Sequence, residues 1–232
     1  MKKILFIFFT ILSCCKIQAQ SEFSTGLLPG VRISTKISDQ IKWINGLQSR
    51  HILTDNTKVK SFDYEYILTD ISSLISIKIG AHGVFNTGYL IRFQDDEVIH
   101  RSIQQYNLVQ NLERLRIGHR FATDQTFNTN KSPQFRLRYK ISLEKPLAGD
   151  KIDPKEFYLK LGNEYLGIYQ SNDTELEIRV LPFIGYEINH KNKVELGIDY
   201  RLSDFFNSGS ENDLWLSMNW FYTIDAKNKS SK

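Results

Sequence analysis

Five histidines are the residues best suited to acid–base chemistry: His51, His82, His100, His119 and His190. His190 falls in the turn sequence Asn189–Asn192 and is expected at the surface. His82, His100 and His119 fall in extended segments. A hydrolase could combine His100 or His119 with Ser102 as nucleophile and a carboxylate that orients the base. Ser102 follows His100 by two residues, which places both on one strand face. No third member is fixed by spacing, so ordinary hydrogen-bonded strand residues are the favoured reading. The same three histidines could meet across strands, yet no two share the local spacing of a metal motif. There is no phosphate loop, paired-glycine dinucleotide motif or zinc motif, and no cofactor is expected.

A second chemistry is anionic recognition. Arg116, Arg120, Arg136 and Arg138 on consecutive segments could form a basic stripe. Facing a lumen, such a stripe would bias permeation towards anions or bind the phosphate groups of lipopolysaccharide. The favoured alternative is charge pairing of these arginines with Glu164, Glu177 and Glu195. Arg179 and Arg201 continue the charged face, beside Lys140, Lys160, Glu175, Glu187 and Asp199.

What must position these groups is a set of strands. In Gln134–Glu144 every even position is polar and every odd one apolar. Lys193–Leu202 and Glu175–Val180 alternate in the same way. Alternation with period two is the mark of a two-faced strand. No stretch of similar length holds a helical period, and the best candidate, Val109–Leu115, reads better as a turn. Strands are expected over 29–38, 40–53, 59–69, 73–86, 98–110, 113–126, 134–145, 156–168, 175–189, 192–203 and 213–224. Turn residues separate them, among them Thr69-Asp70, Gln94-Asp95-Asp96 and Ser171-Asn172-Asp173. Short links imply an antiparallel meander. Even strand numbers prevail in single-chain bacterial barrels, so ten or twelve strands are expected from these eleven segments.

Alternation leaves open which face looks inwards. A soluble barrel binding an apolar ligand would place Leu137, Tyr139, Ile141, Val194, Leu196 and Ile198 inside. A membrane barrel would place them outside, over a polar interior. Segments of about 10–14 residues suit a tilted membrane strand better than the common soluble strand of about 5–6. Aromatics near strand ends, such as Trp43, Tyr89, Tyr169 and Trp220, fit two interfacial girdles. The segment Leu214–Tyr222 also ends in aromatics, as last strands of outer-membrane barrels do, although ten residues follow it.

Lys2 and Lys3 precede the apolar run Ile4–Leu12, which has the make-up of a secretory signal peptide cleaved after Ala19. Lipoprotein processing at Cys14 is the alternative. Cys14 and Cys15 are the only cysteines, so a mature chain from residue 20 has no disulfide framework. The charge balance is 30 basic against 26 acidic residues, too even for a nucleic-acid binder. The expected layout is a signal peptide at 1–19, one barrel domain over 20–225 and a polar tail at 226–232.

His100-Arg101-Ser102-Ile103-Gln104-Gln105, Leu115–Phe121, Arg136–Lys140, Glu156–Lys160 with Asn163-Glu164, and Gly185-Tyr186 resemble the "domain of unknown function 2490" family. The resemblance is clearest from about residue 98 to 202. It departs where the family carries an arginine–phenylalanine pair and this chain has Thr126-Phe127. It implies an exported outer-membrane β-barrel of Gram-negative bacteria and no established activity. The expectation is therefore all-β: a single antiparallel up-and-down transmembrane barrel of about 10–12 strands. Its role would be structural, binding or narrow-pore, with an Arg/Glu-lined lumen. A lipid-modifying barrel enzyme and a soluble ligand-binding barrel are the alternatives. The expected partners are outer-membrane lipid, lipopolysaccharide and, during biogenesis, the outer-membrane assembly machinery.

Overall fold

The computed structural model describes residues 22–57, 62–129, 131–204 and 210–225. The expected signal peptide, Cys14 and the polar tail lie outside these residues. Eleven strands follow one another: β1 (Glu22–Lys36), β2 (Ile41–Asp55), β3 (Glu65–Ile79), β4 (Gly83–Gln94), β5 (Glu97–Leu112), β6 (Leu115–Asn128), β7 (Lys131–Pro146), β8 (Glu156–Gln170), β9 (Asp173–Asn189), β10 (Asn192–Ser203) and β11 (Glu211–Asp225). Each pairs antiparallel with the next, and β1 closes on β11 in parallel. The result is a closed barrel. Closure removes the unpaired edges that an open sheet would expose.

The parity differs from the ten or twelve expected. In a meander each strand reverses the last, so strand eleven runs the same way as strand one. Such a sheet closes only through a parallel pair, here in continuous register from Glu22↔Glu211 to Lys36↔Asp225. The ends of β1 and β11 consequently point in the same direction.

Most expected segments overlie observed strands, and Val109–Leu115 straddles the β5–β6 turn. The expected strands 59–69 and 73–86 need correction, residues 59–61 lying outside the described ones. Thr69-Asp70 is mid-strand in β3, and the chain reverses at residues 80–82 instead. Aspartate favours turns locally, but Asp70 pairs in register with Arg92 of β4 and its carboxylate accepts two hydrogen bonds from it, at 2.7 and 2.9 Å. A charge-assisted fork of that kind outweighs local preference. The two-residue turns Asp95-Asp96 and Ser171-Asn172 do form, all four residues having positive φ, as primed hairpin turns require.

The direction of the faces is plain. Leu137 is 67% exposed, and Leu196 and Ile198 lie on the same outer wall. Asp124 and Glu164 are 1% and 2% exposed. The apolar face therefore looks outwards and the charged face inwards, the reverse of a soluble barrel holding an apolar ligand. Outward aromatics gather at both rims: Phe93, Phe127, Phe135 and Tyr169 at one, Trp43, Phe157, Trp220 and Tyr222 at the other.

Inside, three large rings lie flat over glycines on the neighbouring strand. Tyr158 covers Gly185, Phe183 covers Gly197 and Trp215 covers Gly26, each pair in direct register. A Cβ on Gly185 would come within 2.1–2.5 Å of the Tyr158 ring, so only glycine admits it. Gly185→Ala is expected to cost about 1–3 kcal/mol through overpacking. The check is the heating temperature at which the folded band is lost on a detergent gel.

Candidate functional site

The lumen is the candidate site. It encloses a cavity of about 450 Å³ reaching from Leu28 and Arg50 past Arg101 to Glu195 and Phe221. Lumen-facing side chains come from alternate positions of every strand, so register alone sets their neighbours.

Glu164 on β8 is the hub. Its carboxylate accepts from Arg138 Nε at 2.7 Å and from Arg120 Nη2 at 3.0 Å. Arg138 reaches back to Asp124 at 3.3 Å, and Arg136 donates to the same oxygen at 2.7 Å. Strands β6, β7 and β8 are thus laced by one chain of alternating charge. A second cluster centres on Glu195. It accepts from Tyr158 Oη at 2.8 Å and from Lys160 Nζ at 2.9 and 3.1 Å. Lys160 also lies 3.4 Å from Glu144, which accepts from Arg116 at 3.2 Å. In the third, Arg201 forks onto Asp199 at 3.0 and 2.8 Å, and Arg179 donates to Glu177. Trp215 takes the guanidinium of Arg50 over its ring, at 5.1 Å from the centroid.

All nine expected lumen residues therefore face inwards. Arg120 and Arg138 meet Glu164, while Arg116 takes Glu144 and Arg136 takes Asp124. The expected pairing of that stripe with Glu177 and Glu195 does not occur. Those carboxylates lie on β9 and β10, where Arg179, Lys160 and Lys193 reach them first. Sequence reasoning passed over Asp70, Arg92, Arg101, Arg50, Asp124 and Glu144. The phase of alternation could have found Asp124, since it continues the even-numbered face of Arg116 and Arg120.

Cations exceed anions. Twelve arginines and lysines line the cavity against the carboxylates of Asp70, Glu144, Glu164, Glu195 and Asp199. Adding Asp124 and Glu177, which hold Arg136 and Arg179, leaves cations in excess. Arg101 donates through Nε to Thr126 at 2.9 Å. Among the described residues, Arg50, Arg101 and Lys140 form no ion pair. The chemistry this allows is capture of a small anion by fixed guanidinium donors in a confined space.

The other candidates sit on the outer wall. His100 and Ser102 face outwards, but His100 lies against Tyr89, with 5.8 Å between ring centroids, and Ser102 donates to Gln125. His119 Nδ1 contacts Tyr139 Oη at 3.0 Å. Among the described residues no carboxylate joins either histidine, so the expected alternative around Ser102 is not assembled there. Among the described residues no three His, Cys, Asp or Glu side chains form a metal cluster.

The crystal structure of the siderophore receptor PirA from Pseudomonas aeruginosa is similar at 14% identity and a TM-score of 0.29. The match covers 74% of this chain and 32% of the receptor, so the chain spans about a third of that protein's length. No curated protein matches. The family described as "Protein of unknown function (DUF2490)" matches residues 25–214, which run from β1 into β11, and the chain belongs to that family.

Proposed function

We propose that this chain is an outer-membrane barrel whose lumen holds small anions and passes them slowly. Its outward apolar wall, flanked by two aromatic rims, supports placement in a bilayer with lipid and lipopolysaccharide around it. Strands of 12–17 residues are long enough to cross at a tilt. Insertion would need the outer-membrane assembly machinery.

The observation that carries the anion reading is the excess of cations around one cavity of about 450 Å³. Coulomb attraction is strengthened there because low-dielectric walls focus the field. Ion-pair lattices and the rings of Tyr158, Trp215 and Phe183 fill much of the remaining bore, in keeping with a small barrel.

The test is planar-bilayer recording under a potassium chloride gradient. The expected result is a small conductance with a reversal potential on the chloride side, reduced by inorganic phosphate. Arg101→Glu is expected to move that potential towards zero. A cation-selective conductance, or one indifferent to both phosphate and Arg101→Glu, would refute the reading.

A further inference from the structure

Outside the lumen, one group of side chains has the form of a nucleophile, a base and an orienting partner. Ser49 Oγ and His51 Nε2 lie 2.8 Å apart on β2. The other ring nitrogen, His51 Nδ1, lies 2.8 Å from Tyr64 Oη. Tyr64 stacks on the imidazole at 5.5 Å between centroids, and Tyr66 meets its edge at 5.7 Å. The imidazole is thus held by one stacked ring and one edge-on ring. Ser49 Oγ also lies 3.3 Å from Leu68 O and from Thr69 Oγ1, longer than its contact with the histidine.

The location gives these three residues meaning. Register pairs Leu47 with Ile71 and, two residues on, Ser49 with Thr69. Leu47 and Ile71 are about half exposed on the outer wall. Ser49 therefore sits at the edge of the apolar band, facing outwards, with Phe62, Tyr64 and Tyr66 exposed beyond it. A bulge between Arg50 and His51 leaves Ile67 without a register partner in β2 or β4.

We infer that Ser49, His51 and Tyr64 form an acyl-ester hydrolase site that takes the ester of a membrane lipid at the barrel's outer rim. The inference rests on the bilayer placement proposed above and is independent of the lumen. Ser49 Oγ attacks the ester carbonyl while its proton passes to His51 Nε2. The carbonyl–alkoxide bond breaks, and His51 returns the proton to the departing alcohol, leaving acyl-Ser49. Water then attacks the acyl group, His51 takes its proton, and the acid leaves as Ser49 regains a hydrogen. Tyr64 is the positioning residue: its oxygen accepts the Nδ1–H and so presents Nε2 as the base.

The experiment uses the full chain folded in mixed micelles, with the heat-dependent gel shift recorded on the same sample. An alkyl fluorophosphonate is the serine probe. Dioctanoyl phosphatidylcholine in one arm and purified lipid A in the other separate the two ester sources, with fatty acid read by mass spectrometry. The expected result is labelling at Ser49 and fatty acid from at least one lipid. Ser49→Ala abolishes both, and His51→Asn lowers them by about 100-fold or more, the low end of a general base's contribution. Tyr64→Phe lowers kcat with KM unchanged, and Ser102→Ala leaves the rate as it was. A sample that shows the gel shift but neither labels at Ser49 nor releases fatty acid overturns the hydrolase, and labelling that survives His51→Asn does the same. A sample without the shift overturns the bilayer placement instead.

Discussion

Glu164→Ala is expected to be among the most damaging single changes, at about 3–5 kcal/mol, because removing one member of a buried ion pair strands its partners. Glu164 is 2% exposed and holds both Arg120 and Arg138. Without it two guanidinium groups would face each other inside the barrel, beside an Arg120 Nε that already lacks a partner. Glu164→Gln keeps an acceptor but drops the charge, so its loss should be smaller. Replacing Glu164, Arg120 and Arg138 together with apolar residues of similar volume should recover most of the loss, since the two guanidinium groups go with their carboxylate and Asp124 keeps Arg136. Urea titration of the folded barrel in lipid vesicles reads all three. An Ala variant within 1 kcal/mol of the parent would show that the hub adds nothing to stability.

Leu137→Arg comes next, at about 2–4 kcal/mol, the cost of a cation near the middle of a barrel's lipid-facing wall. Leu137 is 67% exposed at the centre of β7. Its register neighbours are Thr123 and Gly167, neither of which offers a counter-charge. On a water-facing surface the same change would shift stability by no more than about 0.5 kcal/mol. The vesicle titration of Leu137→Arg against Leu137→Ala therefore separates lipid from water outside the barrel. A neutral Leu137→Arg would remove the bilayer placement and, with it, the lipid hydrolase.

Much of the architecture was legible because period two is a local property. Gln134–Glu144 alternates without a break, and β7 spans it from Lys131 to Pro146. Asp95-Asp96 and Ser171-Asn172 announced their turns because residues that tolerate positive φ are few. Thr69-Asp70 misled for the same reason. A turn-forming residue was read from its neighbours in sequence, whereas its position was set by Arg92 on the next strand. The eleven segments were themselves legible; the even number expected came from the general rule for bacterial barrels, and the parallel closure of β1 on β11 that allows an odd number is encoded by no local pattern.

The site divides in the same way. Alternation determined that Arg116, Arg120, Arg136, Arg138, Glu164, Glu177, Arg179, Glu195 and Arg201 would share a face. It could not determine whom each would meet, since partners around a closed wall depend on register and on which strand is the neighbour. Ser49 and His51 share a strand face by spacing alone, yet so do His100 and Ser102. Only the folded chain brings Tyr64 to the first pair and leaves the second without a partner for its base. From its sequence this protein has its strands, its two faces and its membership of a charged lumen. Tertiary structure alone decided that the charges turn inwards, that eleven strands close in parallel, and which charge neutralises which, because those outcomes depend on contacts between residues far apart in the chain.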